Sequence, residues 1–454
     1  MIAVKSLRGE LMKSAMAFLA GWLTACCCVT STGWAQSKPS AWAPSPDMVN
    51  AVYPEVEALY LDLHRNPELS LHETQTAAKL GERAKALGYE VTTRVGGTGI
   101  VAVMKNGPGP TVLFRTDMDA LPVEEKTGLA YASHVVTRND SGVMVPVMQA
   151  CGHDIHMSSW FGTAKLMAAN RDKWHGTLIM IGQPAEEVVS GAAAMIKDGL
   201  LTRFPRPDYA LAVHDEPIPA GQVGFTPGYT MAAVDSVEIT IYGRGGHGAQ
   251  PQNAIDPIVI GAQTVLALQT IVSREMNPLD SAVVTVGSFQ GGTKNNIIPD
   301  EVKLLLTVRS YKQEVRKHLL ASIERIAKGE AMAGGAVREP LVTVTPGTNA
   351  AFNNLELNKR VVGILRGALG QDNVVELPPK MVSEDFSEFG GAGIPSVMFY
   401  VGAQEPAKFA AAQKSGTILP GLHSSGWAPD YEPALKTAIR AETAVLGDLL
   451  QGTK

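Results

Sequence analysis

Strand and helix signals alternate from Glu90 to Val213, change character near Ala232, and resume after Asn349. That interruption constrains the chain more than any other feature. An α/β layer assembled from both ends of a chain must carry the intervening stretch as an insertion. Before the break, apolar residues recur at helical spacing through Val52, Val56, Leu59 and Leu63, and a second helix is predicted from Thr74 to Leu87, beyond Pro67. Strands are predicted at 90–95, 99–104, 111–116, 177–182 and 209–213, with helices at 158–169 and 192–198. The interval 232–348 reads differently: strand 236–242, helix 255–273, strands 282–288 and 302–308, helix 314–331, strand 341–344. That β-α-β-β-α-β order is the order of a ferredoxin-like unit. Beyond it come a helix at 355–369, an apolar strand at 395–401 and a last helix from Pro433. The expected organisation is one α/β domain from 47–231 and 349–454, with an α+β domain of 232–348 inserted in it.

At 454 residues, with 45% hydrophobic and 18% charged, the chain has the apolar content for two or three cores. Its net charge of -5 includes no basic block, so nothing points to nucleic acid or an anionic membrane surface. Glycine and proline are spread without a period, and no internal repeat is evident.

The N-terminus has the order of an export signal. Lys5, Arg8 and Lys13 precede an apolar run from about Ser14 to Val29, and small residues then lead to Gly33-Trp34-Ala35. A leader of 1–35 and an exported, periplasmic or secreted product are expected. Leu23-Thr24-Ala25-Cys26 also has the form of a bacterial lipobox, which would anchor the product to a membrane through a lipid on Cys26. Three of the four cysteines lie in this leader, so cleavage after Ala35 leaves Cys151 without a disulfide partner.

Four short segments carry ligand-type side chains. Cys151-Gly152-His153 places a thiol and an imidazole two residues apart, on one side if the segment is extended. Taken alone, a buried thiol beside a helix-capping Asp154 explains it equally well. Glu186 and Glu187 follow the apolar strand directly, and buried adjacent carboxylates are costly unless something pairs them. His214 ends a strand, and His423 sits in the loop Pro420-Gly421-Leu422-His423-Ser424. Strand ends are where α/β folds place their sites. Together, Cys151, His153, Glu187, His214 and His423 suit a pair of divalent ions about 3.5–4 Å apart, with Glu186 free to move the proton of an attacking water. Zinc, manganese, cobalt and nickel are all compatible with that donor set.

Taken in order, these pieces resemble the M20 metallopeptidases, in the amidohydrolase branch of hippurate, N-acyl amino acid and auxin-conjugate hydrolases. The resemblance is carried by Leu63-His64-Arg65-Asn66-Pro67-Glu68-Leu69-Ser70, Arg115-Thr116-Asp117-Met118-Asp119-Ala120-Leu121-Pro122, Ala150 to His156 and Gln183 to Glu187. It continues through Gly245-Gly246-His247-Gly248-Ala249, Gly291-Gly292-Thr293 with Asn296-Ile297-Ile298-Pro299, Ser383-Glu384-Asp385-Phe386, and Leu422-His423-Ser424. It implies a mixed-sheet, zinc-peptidase-like catalytic domain with a dinuclear centre, and an inserted lid through which two chains dimerise. It puts Cys151, His153, Glu187, His214 and His423 on the ligand positions and Glu186 on the general base. It makes Asp117 the carboxylate that orients a metal-bound histidine, and puts Arg115 where related peptidases carry a metal-binding histidine. His247 falls on the residue that reaches the substrate's oxyanion from the partner subunit, and Asn296 and Arg309 on binders of the product carboxylate. A guanidinium fork fits a carboxylate, and a surface residue at a strand end is the next reading of Arg309.

Gln149 stands where the branch usually has a histidine, Pro251-Gln252 where it commonly has Pro-His, and His214 is followed by Asp215-Glu216. These departures bear on the substrate more than on the chemistry. His64, His72, His134, His156 and His175 are read as structural or surface residues. The expected activity is hydrolysis of N-acyl amino acids. Its alternatives are dipeptide or carboxy-terminal cleavage by the same mechanism, and a binding protein that kept the fold and lost catalysis. A Cys151–His153 nucleophile ranks below these, because residues so close in one segment are poorly placed for attack and proton transfer.

Overall fold

The structure, a computed structural model, describes residues 42–451. The expected leader, with Cys26, lies outside the described residues. Eight strands form the main sheet, in the order Glu90–Val95, Gly99–Asn106, Gly176–Gln183, Thr111–Asp117, Tyr209–Pro219, Ser396–Gln404, Val223–Phe225 and Val374–Glu376. The central four run parallel and the first two are antiparallel to their neighbours, so the sheet is mixed.

The continuous apolar runs of the central strands follow from burial on both faces. In Gly99–Asn106, Ile100, Ala102 and Met104 join one core, while Val101 and Val103 join the other. Leu178 and Met180 likewise face one way and Ile179 and Ile181 the other. The larger core lies under the helices Pro46–Arg65, Thr74–Ala86, His153–Ala169, Leu355–Leu369 and Tyr431–Leu449. Each fully buried side chain there contributes roughly 1.5–3 kcal/mol of hydrophobic stabilisation. The opposite core includes Met195, Leu200, Phe386 and Phe389.

Between the two halves of this sheet, four strands form a second one in the order Ala282–Gln290, Glu301–Ser310, Ala233–Tyr242 and Leu341–Pro346, all antiparallel. Helices Pro257–Thr270 and Gln313–Ala333 cover one face, and Val237, Ile239, Ile241, Leu304, Leu319 and Ile323 fill the core between. The order and connections are ferredoxin-like. Beside the crossings between the sheets, Gly228–Met231 pairs with Ala351–Asn353.

Candidate metal centre

Thr111–Asp117 and Gly176–Gln183 end together, while Tyr209–Pro219 and Ser396–Gln404 run on past them, so His214 lies within its strand and does not end it. Asp117 pairs with Gln183 across one ladder, and His214 with Tyr400 across another. This brings Asp117, the residues after Gln183, and His214 level with one another, toward the carboxyl side of the central strands.

His153 begins the helix His153–Ala169, so the Cys151–His153 segment is a turn into a helix and not the extended stretch expected from its spacing. Gly152 makes that turn at φ 71, and a Cβ there would lie 2.2 Å from Oδ2 of Asp215. Only glycine meets both conditions. His423 arrives on its own loop, held by its N–H to the carbonyl of Ala150 at 2.7 Å.

Sγ of Cys151 lies 3.7 Å from Nε2 of His214 and 3.2 Å from Nε2 of His423. Oε1 of Glu187 lies 3.4 Å from His423 Nε2 and 3.8 Å from His153 Nε2. The five expected ligand residues thus converge. His153 Nε2 and Glu187 Oε1 are buried, yet neither has a hydrogen-bond partner among the described residues. Left so, each would cost about 1–3 kcal/mol. A thiol, three imidazoles and a carboxylate suit divalent cations that take nitrogen, sulfur and oxygen donors, so the residues fit a metal centre.

Protonation divides these histidines: burial lowers His153, but the carboxylates of Asp117, Asp119 and Glu187 outweigh it and hold the ring well above the usual histidine range. Nδ1 of His153 donates to the carbonyl of Asp119 at 2.7 Å, and Nδ1 of His214 to the carbonyl of Asp215 at 2.6 Å. Each bond turns the ring so that Nε2 faces the cluster. Burial, then the nearby His156, hold His214 well below the usual histidine range, so its imidazole is neutral. Burial and the carboxylates of Glu187 and Glu186 push the Cys151 thiol well up. Its thiolate therefore needs a cation beside it. Glu186 is raised by burial, then by Glu384 and Glu187, and its Oε2 stands 3.9 Å from His153 Nε2.

Asp117 does not make the contact expected of it. The outward nitrogen of His153 is already taken by Asp119, so the Asp117 carboxylate bonds His156 Nδ1 at 2.7 Å and Arg115 at 2.5 Å. His156, expected to be structural, is buried beneath the ligands and accepts the N–H of Asp215 at 2.7 Å. Its spacing of three from His153 on one helix face was a signal available in the sequence. His64 too is buried, between Asp154 and Glu125.

The remaining expected residues lie elsewhere. Arg309 is half-buried and donates to Ser383 Oγ at 2.8 Å and Thr307 Oγ1 at 3.2 Å, so it faces the segment that holds Glu384. His247 and Asn296 are exposed neighbours on the ribbon of Gly246–His247 and Ile297–Ile298. The register places that ribbon beyond the Tyr242–Glu301 end of the smaller sheet and Arg309 at the other end. A ten-residue strand spans about 30 Å, so His247 and Asn296 stand far from the cluster in their own chain.

The model of the peptidase family M20/M25/M40 matches residues 113–415. The chain belongs to this family. It is 38% identical over 339 residues to the hippurate hydrolase of Campylobacter jejuni, covering 74% of this chain and 85% of that one. It is 36% identical over 344 residues to the N-acetyl-L-cysteine deacetylase of Bacillus subtilis, covering 72% and 75%. The crystal structure of the Bacillus subtilis YXEP protein, a dinuclear metal binding peptidase from M20 family, superposes with a TM-score of 0.72 at 28% identity, covering 89% of this chain and 100% of that one. This M20 chain is a metal-dependent hydrolase of amide or peptide bonds.

Proposed function

We propose that this M20 hydrolase cleaves the amide bond of N-acyl amino acids, with Glu186 as general base. The observation that carries the reading is the difference between adjacent carboxylates: Glu187 faces both His153 and His423, at 3.8 and 3.4 Å, while the buried Glu186 approaches His153 alone, at 3.9 Å. A centre that only bound metal would have no use for the second carboxylate. Cys151, His153, Glu187, His214 and His423 would hold two divalent ions. When bound, those ions supply an acidified water and polarise the scissile carbonyl. Glu186 takes the proton of the attacking water and delivers it to the leaving nitrogen. Arg309, with no carboxylate partner among the described residues, offers a guanidinium fork to the carboxylate of the amino-acid half. The names of the relatives, a hippurate hydrolase and an N-acetyl-L-cysteine deacetylase, support the substrate class.

The smaller sheet acts as a lid and dimer surface. The distance of His247 and Asn296 from their own chain's cluster supports their contribution to a partner's site. Val259 and Leu266, exposed on the helix Pro257–Thr270, supply apolar surface for the pairing. The leader pattern ending at Ala35 supports export, or anchoring through Cys26, and N-terminal analysis of the product separates the two.

The test is hydrolysis by the purified metal-loaded protein of N-acetyl and N-benzoyl amino acids beside dipeptides with free amines. Preference for the acylated compounds is expected; preference for free dipeptides would make it a dipeptidase of the same mechanism.

A further inference from the structure

Leaving the strand Gly176–Gln183, three consecutive amides, those of Ala185, Glu186 and Glu187, all end on buried carboxylates. Ala185 N donates to Glu73 Oε1 at 2.8 Å, Glu186 N to Asp119 Oδ1 at 3.1 Å, and Glu187 N to Asp119 Oδ2 at 2.9 Å. Glu73 and Asp119 have no solvent exposure. Each is itself fixed: Thr98 Oγ1 donates to Glu73 Oε2 at 2.6 Å, and Ser70 Oγ to Asp119 Oδ2 at 2.7 Å. Ala185 sits at φ 53, the left-handed region, which a non-glycine residue adopts only when its surroundings hold it there.

We propose that Asp119 and Glu73 are positioning residues, which hold this turn in the backbone shape that aims Glu187 at His153 and His423 and sets Glu186 beside it as the base. The inference rests on the function proposed above. Its physical ground is a conflict of charge. Glu186 and Glu187 are neighbours in sequence, both lie in a poorly solvated site, and Glu384 adds a third carboxylate nearby. Their repulsion favours a relaxed turn in which neither points as it does here. Two carboxylates gripping three successive N–H groups oppose that relaxation through the backbone, without touching the side chains that do the chemistry. Asp119 extends the hold to the metal itself. Its main-chain carbonyl fixes the ring of His153 while its carboxylate fixes the amide of Glu187, so one residue sets the spacing between two facing donors.

The test uses Asp119→Asn, which keeps the shape but turns one acceptor oxygen into an amide group that cannot accept an N–H. Ser70→Ala is the milder variant, because it removes only the hydroxyl that steadies Oδ2. Metal affinity is read by calorimetric titration, the centre by the absorption of the cobalt-loaded protein, and turnover by kcat and KM, all well below each variant's Tm. For Asp119→Asn the expected result is metal binding weaker by roughly 10- to 100-fold, an altered cobalt spectrum, and kcat lower by about 100-fold with little change in KM. Ser70→Ala should move the same readouts in the same direction by less. A folded Asp119→Asn with wild-type metal affinity, cobalt spectrum and kcat would overturn the proposal. So would a variant whose only change is a lower Tm. If Asp119→Asn does not fold, Ser70→Ala decides alone, and unchanged metal affinity and kcat there would overturn it. Metal affinity and the cobalt spectrum are read without substrate, so an error in the substrate class leaves those readouts standing.

Discussion

Nη2 of Arg115 donates to Oε1 of Glu384 across 2.9 Å, with no more than a trace of either side chain reaching solvent. The same guanidinium bonds Asp117 at 2.5 Å and Gln183 at 3.0 Å, and Asp385 lies 3.5 Å away. A single cation thus serves several carboxylates behind the metal donors. Replacing it by leucine leaves those carboxylates buried without a counter-charge. Arg115→Leu is expected to cost about 3–5 kcal/mol, measured by denaturant unfolding; a loss below about 1 kcal/mol would mean that the carboxylates simply take up protons.

Cys151 is the donor nearest both His214 and His423, so its loss should be felt by the whole centre. Cys151→Ser is expected to weaken metal binding by roughly 10- to 100-fold or more, seen in metal content after dialysis. Full retention would make it a buried thiol with no part in the centre.

Stability should carry a signature of His64. Burial alone would lower its pKa, but its hydrogen bonds to Asp154 and Glu125 outweigh this and raise it to about 9. A folded-state value above the ordinary 6.5 means that protonated His64 stabilises the fold fully below about pH 6.5. The contribution is lost as pH rises through about 9. At most it amounts to about 3 kcal/mol. Unfolding free energies measured between pH 6 and 9.5 should fall more for the wild type than for His64→Gln, and equal slopes would contradict this.

If His247 serves the partner's centre, two inactive chains should repair each other. His247→Ala mixed with Glu186→Gln, after subunit exchange, is expected to recover about a quarter of wild-type turnover, because about half of randomly formed dimers are mixed and each has one intact site. No recovery from a mixture shown to exchange would confine His247 to its own chain.

The sequence carried much of this centre because its ligands are rare residue types placed directly after legible strands. Glu186 and Glu187 follow an eight-residue apolar strand, and His214 lies in another. The order of elements in 232–348 likewise declared the second sheet, helped by the alternating burial of its strand Glu301–Ser310. What it did not carry is the support. Asp119 acts through its main-chain carbonyl and through two amides some 70 residues away, contacts with no sequence period. The short strands Val223–Phe225 and Val374–Glu376, the last two of the main sheet, went unseen because three residues cannot display alternation. Which histidine Asp117 meets was not legible either, because His153 and His156 share a helix face; its carboxylate bonds His156 Nδ1 at 2.7 Å and stands 3.7 Å from His153 Nε2.

The central claim is that a base distinct from the metal ligands cleaves the amide, and Glu186→Gln tests it directly. Metal content and turnover of an N-acyl amino acid should be measured on the same sample, beside wild type stripped by a chelator and reloaded. Expected are two divalent ions per chain in both proteins, turnover that returns with the metal in the wild type, and a variant slower by about 100- to 10,000-fold. A variant that loses its metal would make Glu186 a ligand, and one that keeps both metal and turnover would contradict its role as the base.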